Sequence, residues 1–375
     1  MLTAMRPALK SGLLPVWRDR DTLQIGIDPR RAVALTGMAG LACVISLLDG
    51  SRERAQLLQA AAEQGVPAET ADRVLTLLAA GGALDDFPTG TFRVLPQPLR
   101  ARLAGELATV SLARQDGDAG ARALARRRAA YVRIRGTGRI AAAIASILAA
   151  AGVGMVCGGT EPEITPAAEQ PGDGPRPAAG QEPTPRPRAG GTRSASGRRP
   201  VTPPRAGGTS GAGRAARASG SRPARRRAGV EALPDLAVLV GHPDPGLSAM
   251  LMSNQTPHLA ASASEAIGVV GPLVVPGRTA CLRCLDLSRT DRDPAWPLIL
   301  AQLSGREPVP LACDAPLAGS VAAQAAFQAL AFIDGAAVPG AVTNGTLELV
   351  LPAWQWRRRT WPPHQACSCD SYSPR

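Results

Sequence analysis

The stretch YVRIRGTGRIAAAIASILAAAGVGMV, residues 131–156, carries the reading of the fold. YVRIRG reads as a strand and GTGRI as a glycine turn. Ala141–Ala151 reads as an Ala-rich helix, and Gly152–Val156 as the next strand. A strand, a turn, a helix and a second strand form a βαβ unit. Its turn, Gly136-x-Gly138-x-x-Ala141, matches the dinucleotide-type spacing. Glycines there permit a tight turn and let a phosphate approach the helix N-terminus, beside Arg139. Residues 140–160 carry no charge and are long enough to span a membrane. The alanine-rich composition and the strand leading directly into them favour the soluble βαβ unit.

Downstream the α/β pattern resumes. Asp235–Val240 reads as a buried parallel strand, and Thr256–Leu259 leads into a short one. Ile267–Pro276 reads as paired strands, Ala315–Asp334 as a long apolar helix and Thr346–Leu351 as a late strand. Cys281 and Cys284 form C-x-x-C, and Cys367 and Cys369 form C-x-C. Two tight thiol pairs brought together by a fold suit a tetrahedral four-cysteine zinc site, closed and therefore structural. A C-x-x-C redox pair is the rival reading.

Upstream, Leu23, Ile25 and Ile27 alternate within Trp17–Ile27, and Ala32–Leu35 returns after the Asp28-Pro29 turn. Helices are expected over Gly40–Leu48, over Ser51–Gln64 with Ser51 as N-cap, and over Pro67–Ala80. Leu84 begins a last short strand. A hairpin with three helices is a winged-helix-like arrangement. The expected organisation is a winged-helix-like module (1–95), a helical linker (96–130), the first βαβ (131–159), an insertion (160–229) and the rest of the α/β domain (230–375). The insertion is dominated by Pro, Gly, Ser, Ala and Arg, so it lacks the apolar surface to offset chain entropy and reads as disordered. It holds 13 arginines against 5 acidic residues, or +8 of the chain's +12. Confining the excess charge there argues against nucleic acid as the partner. Aromatics are only 3% of the 375 residues, the cysteine count is odd, and Met1–Gly12 has no apolar signal run. These features fit a reducing cytoplasm and no membrane.

The GTGRI turn, PDLAVLV, GVVGPLVVPGRTACLRC, the ACDAPLAGSVAAQAAFQAL helix and the final cysteine pair together resemble the ThiF/MoeB/HesA group, the E1-like activating enzymes. The resemblance implies a Rossmann-like, mostly parallel sheet that binds ATP through Gly136, Gly138 and Arg139. It also implies adenylation of the C-terminus of a peptide or small carrier protein, and structural zinc at Cys281, Cys284, Cys367 and Cys369. Many such proteins are homodimers. The N-terminal module resembles the PqqD-like peptide-recognition winged helix, where a peptide adds a strand to an exposed edge. Here that edge would be Leu23–Ile27 or Ala32–Leu35.

Departures from the family pattern matter equally. An acidic residue normally follows the second strand and holds ribose hydroxyls, but this chain has Cys157-Gly158-Gly159. An Arg and a Lys normally neutralise the triphosphate, yet the only lysine of the chain is Lys10. His242 and Asp244 stand near the position of a Mg²⁺-binding Asp. These departures imply a weakened or lost ATP site, no identifiable catalytic residue, and a protein that presents a peptide to a partner modification enzyme. An active adenylyltransferase and a nucleic-acid binder are the alternatives. Cys313 precedes the long helix and is a candidate activated thiol or a core residue. His364 is a candidate zinc competitor. Trp354, Trp356 and Trp361, interleaved with Arg357–Arg359, are expected to pack inward and leave the arginines solvated. Asp286–Asp293 is expected to form a helix end laced with ion pairs.

Overall fold

The computed structural model describes residues 6–86, 96–158, 233–303, 312–335 and 340–369, so the insertion expected over 160–229 lies outside them. The chain opens with β1 (Pro7–Leu9), then β2 (Pro15–Trp17), β3 (Leu23–Ile25) and β4 (Val33–Leu35). The last three form an antiparallel sheet in the order β2-β3-β4. Leu23 and Ile25 are buried and Gln24 between them is not, the period-2 signature of a half-buried strand. All three residues of β2 are exposed, so β2 carries no alternation, and the expected hairpin is in fact three strands. β3 is therefore central, which removes Leu23–Ile25 as a free edge.

Helices α1 (Ala42–Ser46), α2 (Arg54–Glu63) and α3 (Ala68–Ala80) follow, and β5 (Leu84–Asp86) pairs back onto β1. Ser51 is not the cap of α2. Its hydroxyl bonds the Asp49 carboxylate at 2.5 Å, and Glu53 caps the helix with its amide donating to Gln56 at 3.1 Å. Ile25, Leu57, Leu75 and Leu78 meet in one core, each contributing about 1.5–3 kcal/mol by burial.

Two helices, α4 (Gln97–Arg114) and α5 (Ala121–Ala129), connect this cluster to the large sheet. Lys10 is buried against α4, its Nζ donating to the Ser111 carbonyl at 2.9 Å and lying 3.2 Å from Asp85. Arg127 is buried too and forks onto both Asp334 carboxylate oxygens at 2.8 Å. Arg114 and Arg126 both donate to the Asp334 carbonyl.

The large sheet is built from β6 (Tyr131–Arg135), α6 (Gly138–Ala150), β7 (Met155–Cys157), β8 (Leu236–Val240), α7 (Pro245–Ser253), β9 (His258–Ser264) and β10 (Ile267–Val274). Then come α8 (Leu282–Thr290), α9 (Trp296–Leu303), α10 (Ala315–Ile333), β11 (Gly345–Val350) and β12 (Trp356–Thr360). Its order is β12-β11-β10-β9-β8-β6-β7. Neighbours among β7, β6, β8 and β9 are parallel, and the remaining three pairings are antiparallel. The sheet is thus mixed rather than mostly parallel. The cause is local: Glu265 and Ala266 both adopt left-handed backbone (φ 53° and 59°), as a two-residue hairpin turn requires, and send β10 back along β9. β10 is one strand, not two, interrupted by an irregularity at Gly271-Pro272, where a strand proline is tolerated.

β8 shows why the sheet is covered on both faces. Leu236 and Val238 join the core under α6 and α10, while Ala237 and Leu239 pack with Leu251 of α7 and Leu282 of α8. α10 is the one described helix long and apolar enough to cross a membrane, and its Leu317, Val321, Ala325 and Ala329 are core residues. α6, with 13 residues, is too short for a span.

Candidate metal centre and switch-point crevice

The two cysteine pairs meet at the end of the sheet where β10 finishes and β9 starts, since Val274 pairs with His258. Cys281 stands at the start of α8 and Cys284 in its first turn, with the Cys284 amide bonded to the Cys281 carbonyl at 3.0 Å. Cys367 and Cys369 arrive from the turn after β12, closed by the Cys367 amide on the His364 carbonyl at 2.9 Å. Asn344, which the sequence reading did not single out, ties both segments. Its side-chain oxygen accepts from the Ala280 amide at 2.7 Å and its carbonyl from the Trp361 amide at 2.8 Å.

All four thiols are buried, and their sulfurs lie within 4.8 Å of one another. Cys281 is 3.8 Å from Cys284 and 3.6 Å from Cys367, and Cys284 is 3.5 Å from Cys369. A tetrahedron of sulfurs at about 2.3 Å from a central ion has edges of about 3.8 Å, so the donor set fits a four-coordinate metal. The thiol hydrogen bond from Cys281 draws Cys284 down to about 4, while that bond pushes Cys281 up and burial pushes Cys369 up to about 12. A divalent ion would bind all four as thiolates and displace their protons. His364 is not among the donors. It bonds Asp291 at 2.8 Å and accepts from the Ala366 amide, bracing the turn that delivers Cys367.

At the opposite end of the parallel strands lies the topological switch. β6 and β8 are neighbours, but β7 continues to one side and β9 to the other, which opens a crevice at their carboxyl ends. Gly136 and Gly138 shape its floor. A Cβ on Gly136 (φ +122°) would lie 2.5 Å from the Val240 carbonyl, so glycine is required for turn and β8 to approach. Gly138 (φ +86°) faces open space and needs glycine for conformation alone. Arg139 is exposed in the first turn of α6. Across the crevice, Asp244 caps α7 by accepting from the Leu247 amide at 3.0 Å. β7 ends in Cys157 and Gly158 without a carboxylate, and Lys10 is held in the N-terminal cluster.

Cys313 is no activated thiol: burial pushes it up, and Asp314 occupies the start of α10 by accepting from the Leu317 amide at 2.9 Å. Of the late tryptophans, only Trp361 is fully buried. Trp354 is exposed and Trp356 half-buried, correcting the inward-packing expectation. Arg357, Arg358 and Arg359 are exposed as expected, Arg359 with its guanidinium 4.4 Å from the Trp361 ring. The Asp286–Asp293 stretch does form an ion pair, Asp286 with Arg289 at 3.5 Å, and Asp291 is hydrogen-bonded to His364.

No family model and no curated protein matches the chain. Solved structures do. A heterocyclase in complex with substrate and cofactor matches with TM-score 0.56 and 16% identity, over 98% of this chain and 40% of that one. The heterocyclase TruD matches with TM-score 0.55 and 17% identity, over 98% of this chain and 42% of its own length. E. coli MccB with AMPCPP and MccA matches with TM-score 0.53 and 13% identity, over 98% of this chain and 99% of MccB. The chain thus has the fold of MccB and spans less than half the length of the heterocyclases.

Proposed function

We propose that this chain is an E1-like protein of peptide modification that captures an extended peptide on the free edge of β4 and holds it for a partner enzyme. The observation that carries this reading is the edge itself: among the described residues β4 pairs with β3 alone, and its Ala34 is exposed. A depression of about 150 Å³, lined by Val33 of β4, Gly81 at the end of α3 and Leu112 of α4, lies beside it. Backbone groups along such an edge bind a strand, and neighbouring side-chain pockets select it. This is the winged-helix-like, PqqD-like use of the module. The matched heterocyclase was solved with substrate and MccB with MccA, which agrees with a peptide as ligand.

Nucleotide chemistry in this chain is weak on the proposed reading. Asp244 is engaged as a helix cap, β7 ends without a carboxylate, and the one lysine is buried in an ion pair. Phosphoryl and adenylyl transfer depend on pre-placed charge, and the crevice has little. The four-thiol centre holds zinc and clamps the C-terminal turn without reacting. The second reading, an active adenylyltransferase, is favoured by the Gly136–Gly138 turn at the switch point and by MccB having been solved with ATP.

Binding of fluorescein-labelled candidate peptides, drawn from short reading frames beside the gene, tests the edge. Ala34→Pro on β4 is expected to abolish binding, while Val16→Pro on the opposite edge, β2, leaves it unchanged; equal loss in both overturns the docking site. ATP–pyrophosphate exchange with any of those peptides overturns the weak-site reading.

A further inference from the structure

The outer side of α6 and α10 is a surface without charge. The two helices pack side by side on one face of the sheet. They start from the same end, since the Arg139 charge at the head of α6 reaches Cys313 at the head of α10. Their inward residues are core, Ile144 and Leu148 of α6 with Val321 and Ala325 of α10. A helix on a protein surface ordinarily turns charged residues outward. Here no Asp, Glu, Lys or Arg occurs from Ile140 to Ala150 or from Ala315 to Ile333. Both helices nevertheless have an open side. Only 44% of the apolar window of α10 is buried. Gly319, Ala323 and Phe327 follow one another turn by turn along it and are exposed, Phe327 at 63%. A Cβ on Gly319 would meet nothing within 4 Å. On α6, Ile147 is exposed as well.

A helix that is apolar all round is a buried helix, so this face calls for a cover. The insertion over 160–229, built of Pro, Gly, Ser, Ala and Arg, has almost no large apolar side chain to supply one. A membrane-surface helix sets Lys and Arg along its polar side, and this face has neither. A second copy fits. A twofold axis opposes a patch to itself, which penalises a charged patch and leaves an uncharged one free of repulsion. Charges stand at the margins, Arg139 and Asp314 at the helix starts and Arg126 beside the last turn of α10, a polar rim around an apolar centre. At 19 residues α10 is about 28 Å long, and a packed helix pair is about 20 Å wide. Two such faces together cover about 1,100 Å², above the roughly 1,000 Å² that a specific interface needs. We propose that the α6–α10 face packs against the same face of a second copy of this chain, with Phe327 as its anchor.

Sedimentation equilibrium of the full-length protein tests this. A dimer is expected at about 10 μM chain, within the micromolar-to-picomolar span of specific interfaces. Phe327→Glu and, separately, Ala323→Glu should each weaken it by about a hundred-fold, because apolar contact is lost and like charges meet across the axis. Far-ultraviolet circular dichroism and metal content equal to the parent establish that the variants are folded. Trp17→Ala, on the exposed β2, should leave the dimer intact. A parent protein that stays monomeric up to about 100 μM overturns the proposal. A dimer unchanged by both glutamate substitutions overturns it too, since its interface then lies elsewhere. Binding of a monomeric parent to phosphatidylglycerol vesicles, or to a modification enzyme encoded beside the gene, with loss in Phe327→Glu, assigns the face to another occupant and also overturns it.

Discussion

The two ends of the parallel strands are built to different standards. At the amino end four buried thiols converge, three of their sulfur separations at 3.5–3.8 Å and all within 4.8 Å, braced by Asn344 and His364. At the carboxyl end the glycine turn is bordered by the Asp244 helix cap, the Cys157-Gly158 end of β7 and an exposed cation, Arg139. One end has its chemistry assembled; the other has backbone geometry with few charged groups. The lesson is that a Rossmann-type turn is demanded by strand packing as well as by phosphate. Gly136 must be glycine because β8 passes 2.5 Å from where its Cβ would be, with or without a nucleotide.

The largest expected effect is at the thiol end. Metal analysis should find one zinc per chain, and chelation or Cys284→Ser should release the C-terminal turn. Structural zinc supplies apparent binding energies of about 10–16 kcal/mol, so a melting temperature unchanged on chelation would remove the centre from the stability of the fold. Next comes acid. His258, fully buried between β8 and β10, is pushed down to about 4 because burial disfavours its charge. The unfolded imidazole titrates near 6.5, so the unfolded state binds more protons below that pH. Stability from this group is therefore complete above about 6.5 and falls as pH drops toward about 4, by on the order of 2 kcal/mol at pH 5. Urea melts at pH 7 and 5, on the parent and His258→Gln, should show the slope only in the parent. Smallest is the contrast within the glycine turn. Gly136→Ala combines positive φ with a backbone clash and should cost roughly 1–3 kcal/mol, whereas Gly138→Ala, strained but unobstructed, should cost about 1 kcal/mol. Equal losses would mean that β8 yields to the turn.

Much of this was legible in the sequence, for physical reasons that differ by element. β6, α6 and β8 announced themselves because buried runs and glycine turns leave local marks. The cysteine pairs did so because metal donors recur at short spacing. β2 was silent, since an exposed edge strand has no alternation to read. The β9–β10 hairpin was silent for another reason: Glu265-Ala266 adopts a conformation that usually advertises itself with Asn-Gly. Asn344 was invisible as a brace because its two partners, Ala280 and Trp361, lie in separate segments brought together only by folding.

The Asp334 contact has a bearing on how the chain is made. Arg127 and Asp334 are separated by 207 residues. At about 5–20 residues per second, the ribosome delivers the carboxylate roughly ten to forty seconds after the guanidinium. Until then Arg127 has no Asp334 to receive its fork and keeps only its nearer partners, Glu106 and the Ala151 carbonyl. The ends of α4 and α5 that bond Asp334 therefore acquire their final seat late in synthesis, when the last turn of α10 leaves the tunnel. A chain halted before that turn would leave the Arg127 face of α5, which the finished protein buries, open to protease.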